Sequence, residues 1–251
     1  MSKRTLKVIA LFAAALTVAV AQKKPKSDKE TQAIQAIQKA KTPDEIIAAV
    51  ENLITKFADT EFKSAALLEE AQAYDQKGDS IKAISSGRLA IEADPKNVDA
   101  LLLVGAEVAQ HTRDTDLDKT ERLAEAEKDI NAALAIIPDE PKPAASVTDA
   151  QWEEAKKNSI ARVHFDLGLV AMTRKKPDVA ANEYKLAVDG STAPDPVWMI
   201  RLGNAYNQAG KPDDAIAVLD KALAVPDLNP QIKNIAANER ANAVKLKGAK
   251  K

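Results

Sequence analysis

The stretch Arg201–Pro230, RLGNAYNQAGKPDDAIAVLDKALAVPDLNP, reads as two short helices separated by a break at Gly210. Its apolar residues recur with the 3.6-residue period of a helix. Gly210 suits the left-handed residue that ends many helices, and the proline of Lys-Pro-Asp at 211–213 suits a first helical position. Small residues, Gly203, Ala215 and Ala222, stand where larger apolar side chains would usually fill a core. The stretch therefore predicts a helical hairpin whose two helices approach closely.

The same small residues recur upstream at regular intervals. Counting back from Gly203, Gly168, Gly105 and Ala71 follow at intervals of 35, 63 and 34 residues. Two columns of alanine stay seven residues apart in every repeat, and no segment alternates with the two-residue period of a strand. The sequence therefore predicts an all-α protein of four hairpins. The alanine pairs are Ala83 and Ala90, Ala126 and Ala133, Ala180 and Ala187, and Ala215 and Ala222.

These residues resemble the tetratricopeptide repeat family, whose pattern is W-x2-L-G-x2-Y…A-x3-F…P over about 34 residues. In the last repeat Met199 occupies the family's tryptophan position, Trp198 stands one residue ahead of it, and Pro226 comes one place early. The resemblance covers residues 64–229 and implies a right-handed α-solenoid of stacked antiparallel helix pairs. The matching residues are Ala71, Tyr74, Gly78, Ala83, Ala90 and Pro95; Val104, Gly105, Ala126, Ile130, Ala133 and Pro138; Leu167, Gly168, Ala180, Tyr184 and Ala187; and Leu202, Gly203, Tyr206, Ala215 and Leu219.

The repeat register also divides the chain into segments. The second repeat gains nine residues between Thr112 and Thr120, and about 20 more intervene between Asp139 and Ser159. In that second insertion Thr148 and Gln151 form a capping box that opens a long first helix for the third repeat. The predicted segments are a signal peptide at 1–21, a flexible leader at 22–29, a degenerate helix pair at 30–63, repeats at 64–97 and 98–140, a loop and helix extension at 141–160, repeats at 161–195 and 196–229, a capping helix at 230–246 and a basic tail at 247–251.

The first 21 residues predict export from a bacterial cell. Lys3, Arg4 and Lys7 precede an uncharged run of 14 residues, Val8–Ala21, which ends in Ala-Val-Ala. This is the pattern of a cleavable signal peptide, and the run is shorter than the ~20 residues of a membrane-spanning helix. We therefore expect a periplasmic or secreted protein, with an uncleaved N-terminal anchor as the alternative. The chain has no cysteine, so packing alone must hold the exported fold.

Charge and motifs argue against several classes of function. Without residues 1–21, 36 − 3 = 33 basic residues face 37 acidic ones, a net charge near −4 that gives no electrostatic case for nucleic acid. The chain shows no phosphate-binding loop, nucleophile elbow or zinc-protease motif. We expect His164 to be a structural residue and His111 to stabilise a helix end. The sequence thus predicts a protein that is not an enzyme, has no cofactor and keeps no membrane span after signal removal.

One acidic stretch offers an alternative function in ion or small-molecule binding. Residues 114–125 match the calcium-loop pattern at Asp114, Asp116, Asp118 and Glu125. Lys119 stands where that loop requires glycine and places a positive charge beside the site. Asp118 and Glu121 instead fit the start of the following helix, with acids favoured by its dipole. Helix capping is the preferred interpretation, and a calcium site is the alternative.

The first helices of the repeats line the inner surface of tetratricopeptide repeat proteins. The resemblance implies a non-enzymatic scaffold that binds a protein or peptide on this concave surface. The alternative is that some of these side chains pack against the N-terminal helix pair or the inserted helix. The lysine and asparagine positions of the family's carboxylate clamp are not matched in the first repeat, and the oligomeric state stays open. The predicted surface residues are Leu68, Gln72, Gln76, Leu102, Ala106, Gln110, Phe165, Leu169, Met172, Ile200, Asn204 and Asn207.

Overall fold

The computed structural model describes residues 23–249, and in that range the protein is all-α. No strand is found among these residues, as the period of the sequence predicts. The predicted signal peptide at 1–21 lies outside the described residues. The helices are α1 (Asp28–Lys39), α2 (Pro43–Lys56), α3 (Lys63–Gln76), α4 (Ser80–Ala93), α5 (Val98–His111), α6 (Lys119–Ile136), α7 (Asp149–Thr173), α8 (Pro177–Gly190), α9 (Pro196–Gln208), α10 (Pro212–Leu223) and α11 (Pro230–Ala249). Between residues 23 and 249 no helix combines the length and apolarity needed to cross a membrane.

The chain forms two compact units. In the first unit, which holds the residues up to His111 together with Pro138–Trp152, each of α1 to α4 packs against the next helix along the chain. Phe62, at the start of α3, is 1% exposed and joins a core that α1 and α2 supply. Glu30 is buried beside it, where its carboxylate accepts hydrogen bonds from Thr60 Oγ1 at 2.6 Å and from the backbone N–H of Lys26.

The helix starts follow the cap signals of the sequence. Thr42 and Glu45 form a reciprocal capping box at the start of α2. At the start of α7 the predicted box is confirmed, because Gln151 N donates to Thr148 Oγ1 at 3.3 Å and Thr148 N donates to Gln151 Oε1 at 3.0 Å. The leader is shorter than predicted. Ser27 caps α1, so the helix begins at Asp28 rather than near residue 30.

The second unit holds Thr112–Ile137 and the residues from Glu153 onward. Its predicted close contacts are confirmed: a Cβ added at Gly168 would lie 2.5 Å from Tyr184 Cδ1, and one at Gly203 would lie 2.5 Å from Leu219 Cγ. Real Cβ atoms essentially never come so close to another atom, so only glycine lets the Tyr184 ring and the Leu219 side chain pack at these two positions. All eight alanines of the two predicted columns, over both units, are at most 1% exposed. The small residues are therefore determinants of packing.

The turns between paired helices need a left-handed residue. Gly78 and Gly210 have φ angles of 73° and 69°, as predicted from their positions after first helices. The third repeat has Lys175 at this place, 35 residues before Gly210, with a φ of 58°. A lysine in this conformation is strained. Its ammonium group ion-pairs with Asp114 at 2.8 Å, a contact that glycine would not make.

The last helix, α11, packs against α9 and α10. It begins at the predicted residue 230, a proline, and Asn229 Oδ1 caps it by accepting from Gln231 N at 2.8 Å. It extends to Ala249, three residues beyond the predicted end. The apolar residues of the helix are only partly buried, because Ala236 and Ala243 are covered whereas Ile235 is 53% exposed. The helix is therefore held by little apolar area and by polar contacts.

Candidate partner-binding surface

In the first unit, the structure separates the predicted surface residues into core and surface. Leu68 and Leu102 are at most 1% exposed, so they belong to the core and their assignment to a partner surface is wrong. Ala106 is also buried. Gln76 and Gln110, near the ends of α3 and α5, are exposed, and Gln72 is partly exposed. Of the predicted surface residues in this unit, only the amide side chains of Gln72, Gln76 and Gln110 are therefore open to a partner.

Buried carboxyl groups lie next to these amides, which sequence reasoning missed. Glu107 is 6% exposed, and burial together with the nearby charge of Asp75 raises the pKa of its carboxyl. His111 Nδ1 lies 3.0 Å from the backbone carbonyl of Glu107 and 3.5 Å from its Oε2. This contact agrees with the predicted helix-end role of His111.

In the second unit, aromatic side chains from α7, α8 and α9 meet. Phe165 stacks on Trp198 with ring centroids 5.1 Å apart and an interplanar angle of 17°, and it also contacts Tyr184 at 5.4 Å. Phe165 and Trp198 are partly exposed, whereas Tyr184 is fully buried. The stacked pair thus forms an apolar shelf that solvent can reach. We call Phe165 and Trp198 the aromatic shelf.

The other predicted apolar residues of this unit lie mainly inside. Leu169 and Ile200 are both 7% exposed, so they belong to the core and their prediction as contact residues is wrong. Met172, near the end of α7, is partly exposed, as is His164. His164 Nδ1 lies 2.8 Å from Glu183 Oε2 on α8, within hydrogen-bond distance of a carboxylate that the sequence did not suggest as a partner. The structural role predicted for His164 fits this cross-helix contact.

The two predicted asparagines on α9 are already engaged within the chain. Asn204 Nδ2 donates to Glu239 Oε1 at 2.9 Å, and Asn207 Nδ2 donates to the backbone carbonyl and Oε2 of Glu239, both at 3.0 Å. Glu239 belongs to α11, which also forms ion pairs through Arg240 and Lys247 with α10. The capping helix thus covers the amides, and they are not a free peptide-binding pair.

A buried acid lies beside the aromatic shelf. Asp166 is 3% exposed, and its Oδ2 has no hydrogen-bond partner, although Arg162 Nε approaches it to 3.8 Å. Burial raises the pKa of the Asp166 carboxyl to about 7, and the Arg162 guanidinium opposes this rise. The Tyr184 hydroxyl is also buried without a hydrogen-bond partner, and burial raises its pKa. No pattern in the sequence indicated that Asp166 would be buried.

The carboxylates of the alternative calcium site are bound by other groups of the protein. Asp114 is bound by Lys119 at 2.6 Å and by Lys175 at 2.8 Å, and these hydrogen bonds lower the pKa of its carboxyl to about 2. Asp116 accepts from the backbone N–H of Arg113 at 2.8 Å. Over residues 23–249 no group of three or more acidic or histidine side chains is placed to hold a metal ion, and this includes Asp118 and Glu125. The stretch is an ion-paired loop.

The preferred capping interpretation of this loop is only partly right. The following helix, α6, begins at Lys119, directly after Asp118. The Asp118 side chain makes no capping hydrogen bond, because its backbone has a φ of −97° and a ψ of 17° rather than the extended conformation of a side-chain cap. The loop is held instead by the ion pairs of Asp114.

Stacked helix pairs, glycine-mediated contacts and a terminal covering helix define a helical-repeat protein. Models of the tetratricopeptide repeat match residues 64–97 and 165–231. The chain therefore carries repeats of the tetratricopeptide family in these two stretches. Proteins of this family are generally non-catalytic and bind protein partners, so the fold is that of a protein-interaction scaffold.

Solved structures agree with this fold. TTC0263, a thermophilic TPR protein in Thermus thermophilus, is 16% identical with a TM-score of 0.57 over 78% of this chain and 90% of that chain. The MamA protein is 19% identical with a TM-score of 0.54 over 83% and 94% of the two chains. BtubC from P. vanneervenii is 18% identical with a TM-score of 0.56 over 83% and 85%. At these identities the likeness concerns the fold alone. A comparison with curated proteins finds no match.

Proposed function

We propose that the chain is an exported bacterial scaffold, not an enzyme, that binds a protein or peptide through the first-helix surface of its second unit. The observation that carries this proposal is the aromatic shelf, two stacked and partly exposed rings contributed by first helices of adjacent repeats. Aromatic side chains dominate the energy of protein interfaces because they bury a large area at a small entropic cost. Such a shelf is suited to an extended or helical peptide.

Export rests on the basic, apolar and small-residue pattern of residues 1–21. With that segment removed, the nearly balanced charge argues for a protein partner rather than nucleic acid. The test is the mass of the protein recovered from the periplasm or medium of producing bacteria. We expect a chain that begins at Gln22. A full-length chain confined to the cytoplasm would contradict export, and a full-length chain in the membrane would indicate an anchor.

The binding surface is tested by site-specific photo-crosslinking in the producing cells. A photoreactive residue replaces Arg201, which is exposed on α9 next to Trp198, and in a second variant it replaces Lys221, which is exposed on the second helix α10. We expect a discrete protein adduct from position 201 and none from position 221, with loss of the adduct when Trp198→Ala is added. Equal crosslinking from both positions, or adducts that persist without Trp198, would place binding elsewhere.

A further inference from the structure

Two arginines border the aromatic shelf, and they restrict the chemistry of its partner. Arg162 lies three residues before Phe165 on α7, and Arg201 lies three residues after Trp198 on α9. Residues three apart are neighbours on a helix surface. Each arginine therefore lies about one helical turn from one ring of the shelf, Arg162 from Phe165 and Arg201 from Trp198. Both arginines are exposed.

The part of the chain that the structure describes does not fully compensate the charge of these arginines. Arg201 forms no ion pair within 4 Å among residues 23–249. Arg162 approaches one carboxylate, that of Asp166, at 3.8 Å, and its side chain stays 50% exposed. Because Asp166 is buried and its pKa is about 7, that carboxyl carries only part of a negative charge at neutral pH. Arg162 and Arg201 therefore place exposed positive charge near the shelf.

This inference rests on the proposed function and names the partner's chemistry. We propose that the shelf binds a segment in which an aspartate or glutamate side chain adjoins a large apolar side chain. The apolar side chain covers the rings of Phe165 and Trp198, and the carboxylate accepts charge-assisted hydrogen bonds from Arg162 or Arg201. A lysine-rich segment of equal apolarity is disfavoured by like charge.

The experiment selects peptides from a random display library against the purified full chain and then measures the affinities of the selected peptides. We expect acidic residues next to leucine, isoleucine or aromatic residues to be enriched. The double variant Arg162→Gln and Arg201→Gln should weaken these peptides on the order of tenfold, since charge-assisted hydrogen bonds are lost. Trp198→Ala should abolish binding. The matched control is Lys221→Gln with Lys233→Gln, which removes two exposed positive charges elsewhere in the second unit.

The outcomes separate this inference from the proposed function. Two outcomes overturn the inference and leave the scaffold function standing. In the first, the selected peptides depend on Trp198 but carry no acidic residues. In the second, they keep their affinity for the double arginine variant. Equal weakening in the lysine control shows a general charge effect and also overturns it. If no selected peptide depends on Trp198, the proposed surface itself fails. Circular dichroism of each variant verifies that the helices are intact.

Discussion

Replacing Asp166 with asparagine should stabilise the second unit, increasingly so as the pH rises. Asp166 is 3% exposed, its Oδ2 lacks a hydrogen-bond partner, and burial raises its pKa to about 7. In the unfolded chain the same carboxyl titrates near 4. The folded state therefore holds this proton more tightly by about 3 pH units, at about 1.4 kcal/mol per unit. Raising the pH from about 4 to above 7 should remove up to ~4 kcal/mol of stability.

The sign follows from proton binding. Between the two pKa values the folded state carries more protons than the unfolded state, so the free energy of unfolding decreases as the pH rises. Asparagine has nearly the same shape and no charge to bury. We therefore expect Asp166→Asn to match the wild type near pH 4 and to exceed it by roughly 2–4 kcal/mol above pH 7, since no charge has to be desolvated.

The assay is urea unfolding followed by tryptophan fluorescence over a series of pH values. A Trp152→Phe background leaves Trp198 as the reporter, and Trp198 belongs to the same unit as Asp166. The control is Asp214→Asn, which removes an exposed carboxylate from α10 in that unit. The control should keep the wild-type pH dependence. Parallel pH curves for wild type and Asp166→Asn, or a wild type that gains stability between pH 4 and 7, would refute the reasoning.

Three further predictions concern packing, the covering helix and the acidic loop. Gly168→Ala should lower the urea midpoint, because the clash with the Tyr184 ring costs about 1–3 kcal/mol against a gain of about 1 kcal/mol in helix propensity. The control Gly190→Ala, where a Cβ meets only ordinary contacts, should not lower the midpoint. Equal effects of the two variants would argue against the close approach at Gly168. Glu239→Ala should speed hydrogen exchange in α11, because Asn204 loses its carboxylate acceptor and Asn207 keeps only the backbone carbonyl, at a cost of about 1–3 kcal/mol. The exposed neighbour variant Asn238→Ala should leave exchange unchanged, and unchanged exchange in both variants would show that the carboxylate bonds do not hold the helix. Millimolar calcium should give no saturable heat in calorimetry and no shift in melting temperature, because Lys119 and Lys175 occupy Asp114; a saturable signal that Asp114→Asn removes would restore the calcium site.

The fold could be predicted from sequence because its determinants are small residues at regular intervals. Gly168 and Gly203 mark places where helices touch, and their spacing is visible without coordinates. One contact of the same kind was missed. A Cβ at Gly87 would lie 2.5 Å from Val104 Cγ2, but Gly87 stands four residues after Ala83, where the other repeats have the large residues Ile130, Tyr184 and Leu219, so the pattern predicts no glycine there.

The candidate surface was predicted less well, because register gives the direction of a side chain but not what covers it. Leu68 and Leu102 have the register of surface residues and are buried by neighbouring helices. Asn204 and Asn207 have the register of ligand contacts, but an acid from a helix 32 to 35 residues later in the chain reaches them. Nothing local to α9 indicates that contact.

What α11 covers helps to decide where a partner can bind in the second unit. Asn207 lies nine residues after Trp198, about 13 Å further along α9 at 1.5 Å per residue. At that end of α9, Glu239 of α11 already binds the Asn207 amide. A partner that used the amides would first have to displace Glu239 and leave its carboxylate without donors, which costs free energy before any contact is gained. A partner that used the aromatic shelf and Arg201 would leave the hydrogen bonds of Asn204 and Asn207 to Glu239 in place. The start of α9 is therefore the favoured end for binding.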